Sequence, residues 1–249
     1  VPRIRLILAY TGTHYHGWQL QAHGPTVQGT VEAALERLVG VPTRVHGAGR
    51  TDAGVHAVGQ VAHFDVAHEK RHIPWQRALN AVLPGDICVR EASEVDADFH
   101  ARFSATAKEY SYTLWTEPAF VLPQRRPFTW ATGPLDLAAM DAAARHLVGT
   151  HDFASFQNAG TPVRDTCRTL TTITRSPGPT PWEWTLRFEA NGFLKQMVRN
   201  IVGLLVAVGR GRITEAAVPG ILAARDRKAA PSTAPAQGLC LEWVRYDHG

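Results

Sequence analysis

Cysteine is scarce in this sequence. Cys88, Cys167 and Cys240 are the only three in 249 residues. They are far apart, odd in number and contain no CxxC pair, which excludes a disulfide framework and a cysteine zinc site and reads as reduced core thiols. Long apolar runs are missing too. No stretch of 18 apolar residues occurs, so no helix of membrane-spanning length is expected, and Val1-Pro2-Arg3 leads into a strand pattern with no signal-type apolar core. The expectation is a cytoplasmic protein. Lysine is nearly as rare as cysteine: of 26 basic residues only Lys70, Lys108, Lys195 and Lys228 are lysines. The arginine bias suits a partner with phosphates to fork onto and bases to stack on, and it equally suits a GC-rich genome. Net charge is a modest +4, with 45% hydrophobic and 19% charged residues, the balance of a globular chain long enough for one large domain or two small ones. Histidine is the plentiful titratable residue, at 12. His14 and His16 stand two apart, however, with no HExxH or Cys/His cluster, so no metal site is expected.

Arg3 to Tyr10 alternates basic and apolar residues before turning fully apolar, as a strand with one buried face does. Val27 to Val39 has helical spacing, and Thr26 is placed to cap it. Strands are expected at 42–47 and 58–66, a short helix from Pro74 through Leu83, and a strand at Ile87 to Val95 after the Pro84-Gly85-Asp86 turn. After a connector at Phe99 to Thr106 the pattern starts again. It gives a strand at Glu109 to Trp115, a helix at Pro134 to Leu147 capped from Thr132-Gly133, and strands at Arg168 to Arg175 and Trp182 to Ala190. A long helix at Phe193 to Val208, an extra helix near 214–224 and a last strand at Leu239 to Tyr246 complete it. The order β-α-β-β-α-β occurs twice, which is the split β-α-β or ferredoxin-like unit. The expected fold class is therefore α+β: two ferredoxin-like halves, residues 1–103 and 104–249, forming a mixed, mainly antiparallel sheet with helices packed on it. A cleft between the halves is expected, and clefts are where sites form.

Between the expected strands at 42–47 and 58–66 lies GRTDAGVHA, Gly49 to Ala57. Glycines at 49 and 54 bracket Asp52, and a backbone able to take positive φ on both sides can swing a carboxylate out of the sheet path. A loop held at both ends is a common place for a catalytic group. Asp between glycines is also ordinary turn chemistry. Gly47-Ala48-Gly49 begins a dinucleotide-type GxGxxG but has Asp52 at the third glycine position and no helical pattern after it, so that reading fails. The Phe193 to Val208 helix is apolar nearly all round and should be buried, yet Arg199 is expected in its middle. An arginine cannot shed its charge, so an anion should meet it: a structural carboxylate, a substrate phosphate or Asp52. A snorkelling arginine on the edge marked by Lys195 and Gln196 is the alternative.

With Asp52 in its loop, Tyr110 on a strand and Arg199 in that helix, the chain resembles the tRNA pseudouridine synthase A (TruA) family. The resemblance rests on YTGTHYHGWQ (Tyr10 to Gln19), AGRTDAGVHA (Ala48 to Ala57), LPGDI (Leu83 to Ile87), FHARFSATAKEYSY (Phe99 to Tyr112), NGFLKQMVRNIVG (Asn191 to Gly203) and Gly238-Leu239-Cys240-Leu241. Several blocks in order over nearly the whole chain are far more specific than any one. The resemblance implies that Asp52 is the catalytic aspartate, Tyr110 the aromatic that stacks on the target uracil, and Arg199 the basic partner of Asp52. It implies that Arg50 displaces the target nucleotide and that Leu239 or Leu241 lines the base pocket. It also implies action on uridines 38 to 40 of the tRNA anticodon stem-loop, a homodimer, and no need of metal, cofactor or small-molecule cosubstrate. Thr11 departs from the family's usual Tyr-Asp-Gly, outside the catalytic trio.

The chemistry fits the residues. Exchanging an N1–C1′ bond for a C5–C1′ bond takes in and gives out nothing, so no cosubstrate motif is needed. A carboxylate close to the ribose either attacks C1′ to form an ester or removes the C2′ proton to give a glycal, and pairing with Arg199 would hold Asp52 ionised against desolvation. Stacking by Tyr110 is worth roughly 1–3 kcal/mol. Its hydroxyl would be a poor unassisted base for the C5 proton, and a plain core tyrosine is the other reading. Flipping a uridine out costs a few kcal/mol, which phosphate contacts from Arg102, Lys108, Arg125, Arg126, Arg164, Arg168, Lys195 and Arg210 would offset. An RNA-binding module would not need Asp52, a glycosidase would use two carboxylates, and a base deaminase would need the absent H-x-E and P-C-x-x-C signature.

Overall fold

The computed structural model describes residues 1–160 and 165–247. In chain order they form β1 (Arg3–Tyr10), α1 (Val27–Val39), β2 (His46–Gly47), β3 (His56–Asp65), α2 (Trp75–Asn80), β4 (Ile87–Val95), β5 (Ala105–Trp115), β6 (Trp130–Ala131), α3 (Leu137–Arg145), β7 (Gly149–Asp152), β8 (Cys167–Pro177), β9 (Glu183–Ala190), α4 (Met197–Gly209), α5 (Val218–Ala223) and β10 (Leu239–Tyr246). The class is α+β, with two compact units: Val1–Thr106 together with the chain from Cys240 onward, and Ala107–Leu239.

In the first unit β1 buries every second residue, Ile4, Leu6, Leu8 and Tyr10, as its alternation requires. It pairs antiparallel with β3 on one side and β4 on the other, and β2 pairs antiparallel with β3. The order β4-β1-β3-β2 is the ferredoxin-like one. α1 buries Val27, Val31 and Leu35, four residues apart on one face, and the Thr26 hydroxyl caps it by accepting from Gly29 N–H at 3.2 Å. β10 adds a short parallel pairing to β3, Cys240 opposite His56 and Leu241 opposite Ala57.

In the second unit the antiparallel order is β5-β9-β8-β7, with β6 parallel to β5. α4 buries eleven of its 13 residues, all but Arg199 and Ala207. α3 packs beside it, with Asp136 N–H donating to Gly209 C=O at 2.8 Å.

Several expected boundaries move, each for a visible reason. The 42–47 strand shrinks to His46–Gly47, because side chains of α1 take the backbone of Val45: its N–H donates to Glu32 Oε1 (3.0 Å) and its C=O accepts from Gln28 Nε2 (3.1 Å). α3 starts at Leu137 with Asp136 as its cap, accepting from Ala139 N–H at 2.9 Å, since the Thr132 hydroxyl is committed to Trp115 C=O at 3.1 Å. α4 starts at Met197, because Gln196 takes a left-handed conformation (φ 60°) that stops the helix there. Arg199 therefore lies in the first turn of α4 and not in its middle. Near 214–224 a 3-10 turn precedes the six-residue α5. β6 and β7 are too short to leave a pattern and are additions. Two cysteines correct the reading of core thiols: Cys88 and Cys167 are exposed, Cys88 on the outward-facing side of β4, whose neighbours Ile87 and Val89 are buried.

Candidate active site

In the first unit the Asp52 loop joins β2 to β3, and a buried polar frame holds it. Thr51 is 5% exposed, and its hydroxyl bonds the buried Tyr10 hydroxyl at the end of β1 (2.9 Å). Gln60, fully buried in β3, donates to Gly49 C=O at 2.8 Å. Burial pushes the Tyr10 phenol well above its ordinary pKa, and the bonds from Thr51 and Gln60 counter this only in part. Tyr10 is a neutral hydroxyl at any working pH.

The other side of the loop is clamped by the segment after β1. Trp18 N–H donates to Thr51 C=O (3.0 Å) and Gly12 N–H to His56 Nδ1 (3.1 Å), while within the loop Val55 N–H donates to Asp52 C=O (3.1 Å). Because His56 Nδ1 accepts, its ring is neutral with the proton on Nε2. A Cβ at Gly12 would stand 2.0 Å from Val55 C=O, so only glycine fits there. Of the two glycines that bracket Asp52, only Gly54 takes positive φ (79°). Gly49 instead supplies the carbonyl for Gln60. Asp52 is half-buried on this loop. Two positions before it Arg50 is exposed, its Nε donating to Gln19 Oε1 at 3.1 Å. Leu241, fully buried, sits on β10 opposite Ala57 just past the loop.

Tyr110, Lys108, Arg199 and Leu239 belong to the second unit. Tyr110 is 8% exposed on β5 and meets the Phe193 ring edge-on at 5.1 Å. The run from Phe193 to Gln196, expected to be helical, thus supplies an aromatic neighbour instead. Arg199 is half-buried, its Nε donating to Ala234 C=O at 2.8 Å while its own C=O accepts from Ala234 N–H at 3.0 Å. Lys108 is half-buried and Leu239 is 6% exposed.

The remaining arginines and lysines are unequal as phosphate contacts. Arg125 forks onto Glu183 (2.8 and 2.7 Å), whose side chain is fully buried, and diverting it would leave a buried carboxylate at a cost of about 3–5 kcal/mol. Arg125 is a structural residue. Lys195 and Arg210 are exposed and reach neighbouring carbonyls with one nitrogen each, Ala159 and Thr132 at 2.8 Å. Arg168 is half-buried and bonds Asp165 C=O at 3.1 Å, whereas Arg102 and Arg126 are exposed. Arg164 lies outside the described residues.

Tyr10, Trp18, Thr51, His56 and Gln60, the groups that hold the loop, were not legible as site residues. Gln60 carried a signal, a neutral polar amide inside the expected strand at 58–66. Among the described residues no three His, Cys, Asp or Glu side chains gather as metal ligands, and no helix is long and apolar enough to cross a membrane.

The tRNA pseudouridine synthase A of Solidesulfovibrio magneticus is 58% identical, over 99% of this chain and 92% of its own. Those of Oleidesulfovibrio alaskensis and Maridesulfovibrio salexigens are 54% and 52% identical, each over 99% of this chain and over 97% and 91% of their own lengths. The family model described as tRNA pseudouridine synthase matches residues 6–104 and 143–247, the two stretches that carry the Asp52 loop and Arg199, so this chain belongs to the tRNA pseudouridine synthase family.

Proposed function

We propose that this protein isomerises uridine to pseudouridine at positions 38 to 40 of the tRNA anticodon stem-loop, as a cytoplasmic homodimer without metal, cofactor or cosubstrate. The observation that carries the reading is the Asp52 loop: a half-buried carboxylate on a short connection whose neighbours Thr51, Val55 and His56 are buried and bonded on both sides. Groups held in this way keep a reacting geometry without reorganising. Specificity for the anticodon stem-loop and the dimer come from the family resemblance.

In the proposed reaction the target uridine is extruded and Arg50 takes its place beside the stem. The Asp52 carboxylate then acts at the ribose, by attack on C1′ or by removal of the C2′ proton, and the N1–C1′ bond breaks with its electron pair going to uracil N1. The freed base turns and C5 bonds to C1′. The C5 proton leaves, N1 takes up a proton, and the ribose centre that Asp52 engaged is restored, so atoms and electrons balance as in any isomerisation. Tyr110 stacks on the turning base, and Arg199 is assigned as the basic partner of Asp52 by the family resemblance. Lys108, Leu239 and Leu241 complete substrate binding, with Arg102.

Tritium release from tRNA transcripts carrying [5-³H]uridine tests this, because C5 must lose its hydrogen. The native protein is expected to release label, and Asp52→Asn to lower the rate by about 10²–10⁴-fold or more with tRNA affinity kept. Label released equally by both proteins would remove Asp52 from the chemistry, and no release by either would remove the reaction.

A further inference from the structure

Phe103 is 76% exposed, far more than Phe120 at 42%, the other exposed large aromatic among the described residues. It is not on a loose loop. His100 N–H donates to Ser104 Oγ (2.9 Å), Ser104 N–H returns to His100 C=O (2.9 Å), and both Arg102 and Phe103 N–H donate to His100 Nδ1 (3.1 and 3.3 Å). Ala101 N–H, one residue along, donates to His63 Nδ1 at 3.1 Å. The two imidazoles that organise the turn also form a column of ring contacts beneath it: His63 meets His100 edge-on at 4.7 Å, and His100 meets Phe103 at 4.4 Å with 34° between planes. The exposed phenyl is the outer end of that column. The guanidinium of Arg102, also exposed, lies over that ring, 5.5 Å from its centre, and would swing aside for a base.

We infer that Phe103 is a stacking platform for an unpaired or splayed-out base of the RNA substrate, with Arg102 placed to take the adjoining phosphate. A flat apolar ring beside a cation matches the chemistry of a nucleotide, whose base offers a π-face and whose backbone offers negative charge. An apolar protein segment would answer the ring but not the guanidinium. The platform is pre-ordered, so stacking on it forfeits little side-chain freedom. A base within a helix already has its own stacking partners, so the occupant is a nucleotide from a loop, a bulge or a flipped position. Choosing tRNA as the partner rests on the proposed function, and the stacking chemistry does not.

Phe103→Tyr, Phe103→Leu and Phe103→Ala in the full chain are compared for tRNA transcript affinity, tritium release and sedimentation. The ring is solvent-exposed, so the fold tolerates all three. Tyr is expected to bind within about 2-fold of the native protein, and Leu and Ala roughly 5- to 100-fold more weakly. KM should rise while kcat at saturating tRNA stays, and sedimentation should not change. Leu binding like the native protein would overturn the stacking role, and slower sedimentation of Leu and Ala would reassign the surface to contact between copies of the chain. Native protein that releases no tritium refutes the synthase reading. Native release with equal affinity for all three variants refutes only the platform.

Discussion

Thr51 is one residue from the candidate catalytic acid and is buried against Tyr10, which gives it a consequence separable from chemistry. Its hydroxyl is the close partner of Tyr10 Oη at 2.9 Å, Gln60 Nε2 lying at 3.5 Å. Thr51→Val keeps the volume and removes the bond, leaving a buried phenol short of a partner at about 1–3 kcal/mol. Urea unfolding should show that loss, with kcat falling because the loop loses one of its anchors while affinity for tRNA is kept. An unchanged urea midpoint would mean that the Tyr10–Thr51 contact contributes nothing. Asp52 could be singled out from sequence because a charge between glycines is conspicuous in a one-dimensional pattern, and Arg50 only through the family resemblance. Tyr10, Thr51 and Gln60 could not, because their meaning lies in a contact across 41 to 50 positions that no spacing rule encodes.

α4 and the segment from Asp226 to Gly238 show the same division one level up. The apolar pattern predicted the buried helix, but its first residue is set by Gln196, held by Asn158, which also accepts from Arg227 Nε at 2.8 Å. Arg227 donates as well to Ala230 C=O (2.9 Å), Asn200 Oδ1 (3.0 Å) and Thr233 Oγ1 (3.0 Å), all neutral acceptors, and burial lowers its pKa. The guanidinium thus ties the helix, the Asn158 turn and the segment whose Ala234 bonds Arg199 on both its N–H and its C=O. Arg227→Met removes four bonds and leaves acceptors partly unpaired, at about 1–3 kcal/mol. The specific expectation is faster hydrogen exchange at Ala234 N–H, the group bonded to Arg199 C=O, with Arg227→Lys intermediate. Exchange at Ala234 unchanged in Met would show that the segment is held without Arg227. Elements whose ends coincide with a local signal, such as Thr26 before α1 or the alternation in β1, were legible to the residue. Ends set by a tertiary partner were not.

For the molecule as a whole, the last strand belongs with the first. Sequence order suggested two successive halves, and the compact units keep the chain from Cys240 onward with Val1–Thr106. β10 pairs with β3, the backbone of Glu242 lies so close to Gly59 that a Cβ there would be 2.1 Å from its carbonyl oxygen, and Tyr246 Oη donates to Ala101 C=O at 2.7 Å. Val244 and Tyr246 pack on the small core of Ala48, Val61, Phe99 and Ala101 beneath the residues leading to the Asp52 loop. Burying such side chains contributes about 1.5–3 kcal/mol each at full burial, a large share of a domain's net stability of roughly 5–15 kcal/mol. A chain ending at Gly238 should therefore lose hydrogen-exchange protection across β1 and β3, and a peptide of residues 239–247 added in trans should restore it, since a strand supplied separately can make the same ladder and core contacts. Protection that survives the truncation would make β10 a passenger on the first unit. Protection that is lost and returns with the peptide would make the C-terminal strand a structural part of the sheet that carries Asp52.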